Sequence, residues 1–161
     1  MTRILFVCLG NICRSPAAEA ILKKQIKDAG LENDITVDSA GLLDYHEGER
    51  PDPRMRRHAA LRGYVLDSRS RPLKTKDFLD FDRIIGMDHQ NIEALHRLAP
   101  DAASQCKIQK MTDYDPARPQ RYTHVPDPYY GESADFDHVL DILEDTCREL
   151  LKTLSAPPCS A

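Results

Sequence analysis

"LFVCLGNICRSPAAEAILKK", Leu5 to Lys24, sets a cysteine directly after an apolar run, then glycine and asparagine, then arginine, serine and proline ahead of a helical pattern. Ile4, Leu5, Phe6 and Val7 are consecutive and apolar, which predicts a buried strand over Arg3–Val7. Ser15-Pro16 predicts a helix start, with serine as N-cap and proline at the first helical position. Ala18, Ile21, Leu22, Ile26 and Ala29 follow at helical spacing, and Gly30 is a natural stop.

Working outward, the same grammar returns. Asp34 to Gly41 reads as a second strand. Asp52 caps, Pro53 opens and Gly63 closes a short helix. "FDRIIGMD" predicts a strand at Arg83–Met87, and Asp88 can cap a helix carrying Ile92, Leu95 and Leu98 that ends before Pro100. "QCKIQKM" is a weaker strand signal. Pro116, Pro119, Pro126 and Pro128 mark residues 112–132 as an irregular loop. Phe136, Val139, Leu140, Leu143, Cys147, Leu150, Leu151 and Leu154 keep one apolar face over a long final helix, with Cys147 as core packing. Strands alternating with helices predict a parallel sheet with helices on both faces. The expected layout is one domain over residues 1–154 and a frayed tail, "SAPPCSA", over 155–161.

The chain has 161 residues, enough for one domain with a proper core. A net charge of −4 with 30% charged residues makes nucleic acid a poor partner. No apolar stretch nears the roughly 18 residues of a membrane helix, and the N-terminus does not read as a signal peptide. The five cysteines, Cys8, Cys13, Cys106, Cys147 and Cys159, are odd in number and lack C-x-x-C pairing. That argues against a disulfide framework or a structural zinc site and suits a reducing, cytoplasmic compartment. The histidines show no metal-ligand spacing and read as surface residues; no cofactor is implied.

In a parallel α/β fold, ligands bind beyond the carboxyl ends of the strands, where Cys8–Arg14 lie. A helix N-terminus offers free amides and a positive dipole end. Gly10 and Asn11 tolerate left-handed backbone angles, so the turn can aim several amides inward as a nest. Arg14 adds a planar fork for two phosphate oxygens. A thiol facing such a helix end and a guanidinium loses its proton easily, which makes Cys8 a candidate nucleophile. Taken singly, the features are weak: a cysteine ending a strand is usually packing, and an arginine in a first turn is often solvated. Together, between a strand and a capped helix, they describe an anion cradle with a nucleophile in it. Neither Walker-type nor Rossmann glycine spacing fits.

On "VCLGNICRSP", Val7–Pro16, the chain resembles the low-molecular-weight protein tyrosine phosphatases. "DPYYG", Asp127–Gly131, resembles the general-acid loop of that family, and "DSAGLLDYHEG" and "IIGMDHQN" resemble further family segments. The likeness runs over nearly the whole chain. It implies a single domain with a four-stranded, parallel, flavodoxin-like sheet and activity on phosphotyrosine proteins or peptides.

By that resemblance Cys8 is the nucleophile, Arg14 binds phosphate, and Asp127 protonates the leaving phenolate and then activates water. Leu9, Gly10, Asn11, Ile12, Cys13 and Ser15 complete the phosphate loop. Ser15 donates to the Cys8 sulfur, and Asn11 holds the loop through a bond to Ser39. Tyr45 and Tyr129 wall the substrate ring. Asp88 and Asn91 match positions near the loop, with helix capping the simpler role for Asp88. Cys13 stands where the family has a cysteine able to form a disulfide with the nucleophile, a reversible shield against overoxidation. Ser68 stands where many members have histidine, which puts that histidine's bond to the loop asparagine in doubt. Inorganic phosphate is expected as product or inhibitor, and the chain as a monomer.

Three other readings compete. Arsenate reductase would use the same cradle, but it needs a cascade of thiols that the spacing does not supply. A phosphoarginine phosphatase would carry threonine where this chain has Ile12; isoleucine favours an apolar aryl contact. A phospho-motif binding module would need neither Cys8 nor Asp127. The run Arg50, Arg54, Arg56 and Arg57 can steer acidic peptides, although such a helix face is ordinarily solvated.

Overall fold

The computed structural model describes Met1–Ser155. The predicted tail and Cys159 therefore fall outside the described residues, apart from the tail's first residue. Strand β1 (Thr2–Cys8) leads into helix α1 (Arg14–Asp28), strand β2 (Ile35–Gly41) and helix α2 (Pro53–Ala60). A single-turn helix, α3 (Asp77–Asp80), precedes β3 (Arg83–Gly86) and α4 (His89–Leu98). A second short helix, α5 (Ala102–Gln105), precedes β4 (Ile108–Lys110), a 3-10 turn at Met111–Tyr114 and the long α6 (Ser133–Ser155). The strands form one all-parallel sheet in the order β2-β1-β3-β4. No helix among the described residues is long and apolar enough to cross a membrane.

The apolar run in β1 is buried on both faces because successive side chains point opposite ways. Ile4 and Phe6 pack with Ile21, Leu22, Phe136, Leu140, Leu143 and Cys147 beneath α1 and α6. Leu5 and Val7 pack on the other side with Ile84, Phe78 and Leu95, under α3 and α4. All four are fully buried, worth about 1.5–3 kcal/mol each. The central strand is thus gripped from both faces, and its carboxyl end is a rigid mount for Cys8.

Punctuation largely falls where the residues demand. Asp52 caps α2 by accepting from the Arg54 amide at 2.8 Å, and Asp88 caps α4 by accepting from the Asn91 amide at 2.8 Å. Gly30 and Gly63 take positive φ beyond α1 and α2. Ser15 is the exception. The N-cap of α1 is Cys13, without a side-chain cap bond, and Ser15 lies inside the first turn. Its hydroxyl is committed elsewhere. Cys147 is fully buried, and burial pushes its thiol well up from the ordinary range. The histidines are not all superficial. His58 is 9% exposed, with Nδ1 3.1 Å from Asp137 and Nε2 3.1 Å from the Ser133 hydroxyl, so it ties α2 to the start of α6.

Candidate active site

The chain from Leu9 to Cys13 wraps the end of β1, and its carbonyls are turned outward to particular donors. Cys8 O accepts from Leu42 N at 3.0 Å, and Leu9 O from Leu43 N at 2.9 Å. Gly10 O accepts from the Ser70 hydroxyl at 3.0 Å, and Ile12 O from Asp52 N at 2.8 Å. The amides of Leu9 through Cys13 have no acceptor among the described residues. They and the start of α1 form a ring of donors suited to an oxyanion.

Asn11 makes this turn possible. It is the one non-glycine residue with positive φ among the described residues, at 57°. Its Nδ2 donates to Ser15 Oγ at 2.8 Å and to Ser39 Oγ at 3.0 Å, and its Oδ1 accepts from the Arg71 amide at 3.0 Å. Three satisfied bonds in a buried position outweigh the cost of the left-handed backbone. Gly10 does not take positive φ, contrary to expectation; a Cβ there would stand 3.2 Å from His46 Cδ2, a tight contact that the glycine avoids.

Cys8 lies at the floor of the turn, 3% exposed, with Sγ 3.0 Å from Ser15 Oγ. Arg14 is 2% exposed. Its Nη1 donates to Asp88 Oδ2 at 2.6 Å and to Val125 O at 3.1 Å, and its Nη2 is 3.6 Å from Asp127 Oδ2. Burial alone would lower the Arg14 pKa; the negative groups around it, Cys8 first and then Asp88 and Asp127, outweigh that and hold it above the ordinary arginine value. Burial also pushes the Cys13 thiol far up, with Asp52 and Cys8 adding to it. Cys8 and Cys13 are both free thiols.

These groups open into a cleft of about 320 Å³ lined by Cys8, Leu9, Gly10, Ile12, Cys13, Arg14, Leu43, Tyr45, His46, Asp127, Tyr129 and Tyr130. Its rim is aromatic. Tyr45 meets His46 edge-on at 4.9 Å, and Tyr129 meets Tyr130 at 4.8 Å. A flat ring can enter between them and reach a tetrahedral anion site at the floor.

Residues 3–157 match the model of the low molecular weight phosphotyrosine protein phosphatases. The chain belongs to that family. A Synechocystis relative named as a putative low molecular weight protein-tyrosine-phosphatase is 48% identical over 94% of this chain and 96% of its own. The crystal structure of a protein tyrosine phosphatase from Entamoeba histolytica superposes with a TM-score of 0.92 at 47% identity, covering 96% of this chain and 97% of that one. A Drosophila arginine phosphatase superposes with a TM-score of 0.89 at 32% identity, covering 98% and 100%.

In this phosphatase the residues read from the motif sit together: Cys8, Arg14 and Asp127 share one cleft, with Tyr45 and Tyr129 on its wall. Asn11, Ser15 and Ser39 lie behind it as a buried brace. Asp88 does two things at once: Oδ1 caps α4 and Oδ2 holds Arg14. Asn11 keeps its partners without a histidine at position 68: its Oδ1 accepts from the Arg71 amide.

Other contributors were not singled out by the motif. Glu19, 4% exposed, accepts from Ser39 Oγ at 2.6 Å and pairs with Lys23, so the brace ends on a buried charge. It stands four residues after Ser15, on the same helix face, and that spacing was the available signal. His46 lines the cleft and pairs with Glu49. Arg54 is no solvated arginine: it grips Asp52 and the Tyr129 carbonyl.

Proposed function

We propose that this phosphatase hydrolyses phosphotyrosine in proteins or peptides through a cysteinyl-phosphate intermediate. The observation that supports it best is the shared cleft: Cys8 at its floor, Asp127 at its rim, and Arg14 between them with Nη2 3.6 Å from the Asp127 carboxylate. The amides of Leu9–Cys13 and the Arg14 fork bind the phosphoryl oxygens and neutralise the charge that spreads over them. Cys8 Sγ attacks phosphorus in line; the P–O bond to the phenol breaks, and Asp127 gives its proton to the departing oxygen. Water then attacks the phosphocysteine. The Asp127 carboxylate takes its proton, the P–S bond breaks, and sulfur leaves with the Ser15 hydroxyl bonded to it. Inorganic phosphate is released and competes for the same cradle.

Ile12 and the tyrosines favour an aryl ester. The likeness to an arginine phosphatase makes phosphoarginine the substrate to assay beside it. Cys13 acts as redox partner: peroxide oxidises Cys8 to a sulfenic acid, and the Cys13 thiol condenses with it, forming the disulfide and releasing water. The working unit is residues 1–154, a cytoplasmic monomer without cofactor, metal or nucleic-acid partner.

Hydrolysis of para-nitrophenyl phosphate tests the reading. Cys8→Ser should abolish it, and Asp127→Ala should lower kcat by about 10²–10⁴ on poor leaving groups. Full activity in Cys8→Ser would refute the mechanism, and faster turnover of phosphoarginine than of phosphotyrosine would refute the substrate.

A further inference from the structure

Asp127 is an exposed carboxylate on a loop, with 42% of its side chain open to solvent, yet general acid catalysis needs it held in one orientation. One restraint is internal: Asp127 Oδ1 accepts from the Tyr129 amide at 3.1 Å. Tyr129 is in turn held on the other side of its Cα, because its carbonyl, in the following peptide unit, accepts from Arg54 Nη2 at 2.9 Å. Arg54 cannot swing freely. Its Nε and Nη2 fork onto the two oxygens of Asp52 at 3.1 and 2.9 Å, and its guanidinium lies 5.4 Å from the Tyr129 ring centre and 4.8 Å from that of Phe136. Asp52 is itself bonded to the phosphate loop, its amide donating to Ile12 O at 2.8 Å. A continuous path thus runs from the phosphate loop through Asp52, Arg54 and the Tyr129 backbone to the carboxylate.

We propose that Arg54 is the positioning residue of the acid loop, fixing the Asp127 carboxylate over the cleft by gripping the Tyr129 carbonyl and so the backbone of the residue whose amide holds Asp127. The inference rests on Asp127 being the proton donor. Arg54 touches neither substrate nor reacting atoms in this role; it sets where the proton is delivered. Only arginine suits the place, because a planar fork can hold a carboxylate, reach a carbonyl and stack on two rings together.

The test is kcat/KM over aryl phosphates whose leaving groups run from phenol to 2,4-dinitrophenol, in wild type, Arg54→Ala, Arg54→Lys, Asp127→Ala and the Arg54→Ala/Asp127→Ala double variant. Arg54→Ala should lose about tenfold on phenyl phosphate, which needs the proton, and under about twofold on 2,4-dinitrophenyl phosphate, which does not. Arg54→Lys, which keeps the pairing with Asp52 but lacks the fork, should show the same selective loss to a smaller degree, and carries the test should Arg54→Ala not fold. In the Asp127→Ala background Arg54→Ala should add nothing on phenyl phosphate. An equal loss across the series, or the same further loss without Asp127, overturns the proposal. If Asp127→Ala itself leaves the series flat, the proton-donor reading fails and this inference with it; if Asp127→Ala steepens the series and the Arg54 variants do not, this inference alone fails.

Discussion

Ser15 Oγ lies 3.0 Å from Cys8 Sγ while accepting from Asn11 Nδ2 at 2.8 Å; a thiolate at Cys8 can only accept across that contact, so against ionised sulfur the serine hydroxyl is the donor. That bond strengthens as sulfur gains charge, which happens when the thiolate leaves phosphorus. Ser15→Ala should therefore slow breakdown of the intermediate more than its formation. A hydrogen bond to a charged group is worth about 1.5–3 kcal/mol, or roughly 10–100-fold in kcat. The expected sign is a larger burst of nitrophenolate from para-nitrophenyl phosphate ahead of a slower steady state. A kcat within about twofold of wild type would remove Ser15 from the chemistry.

Asn11 combines a left-handed backbone with three side-chain bonds, and two substitutions separate these contributions. Asn11→Gly keeps the backbone and loses the bonds; Asn11→Ala loses both. Each should cut kcat/KM and weaken inhibition by phosphate, because Ser15, Ser39 and the Arg71 amide all lose their partner. Asn11→Ala should also be less stable than Asn11→Gly, by about 1 kcal/mol in urea unfolding. Equal stability would mean that the turn relaxes out of the left-handed region.

The order of strands and long helices was legible because each has a strong local cause: an apolar run of strand length in β1, an Asp-Pro start for α2, five turns of one apolar face in α6. The one-turn helices α3 and α5 were not, since four residues carry no periodicity. Cys8 and Arg14 announced themselves through a dense local motif. Glu19 and Arg54 did not, because their partners Ser39 and Tyr129 are 20 and 75 residues away in the chain. Ser15 misled for a physical reason: serine before proline signals an N-cap, yet a hydroxyl flanked by a buried asparagine and a thiol has stronger partners than a free helix amide.

Asp115 anchors the loop that returns to the acid segment. It is fully buried and accepts from the amides of Ala117, Arg121 and Tyr122 and from the Arg121 guanidinium. Burial alone would raise its pKa; these donors outweigh it and bring it down to about 2. A carboxyl lower in the folded than in the unfolded chain stabilises above its unfolded value, and that stabilisation fades as pH falls through the folded one. Discounted because the Arg121 partner is half exposed and screened, the linkage is worth about 1–2 kcal/mol. Asp115→Asn should therefore be less stable at pH 6, with the gap to wild type closing as pH falls from about 4 towards 2. Thermal melts at fixed ionic strength would show this, and a gap that does not depend on pH would not fit.

Gly41 and Gly30 should respond in opposite ways to the same added methyl. Gly41 ends β2 opposite Cys8, and a Cβ there would sit 3.1 Å from each of the Gly10 carbonyl carbon, Asn11 Cβ and Leu43 O. Two of these neighbours are backbone. Gly41 cannot retreat either, being bonded through its amide to Arg71 O at 2.8 Å and through its carbonyl to Leu73 N at 2.7 Å. The phosphate loop is the part left to move, so Gly41→Ala should push it off line. Displacements well under 1 Å suffice for about a tenfold loss in kcat/KM. Gly30, at φ 72° beyond the far end of α1, has no heavy atom within 4 Å of its would-be Cβ. Gly30→Ala meets only backbone strain, costing about 1 kcal/mol of stability with kcat/KM unchanged. Urea unfolding and kcat/KM measured on both variants decide the matter: if Gly41→Ala loses stability alone, the close approach of β2 to the loop does not set the geometry of the cradle.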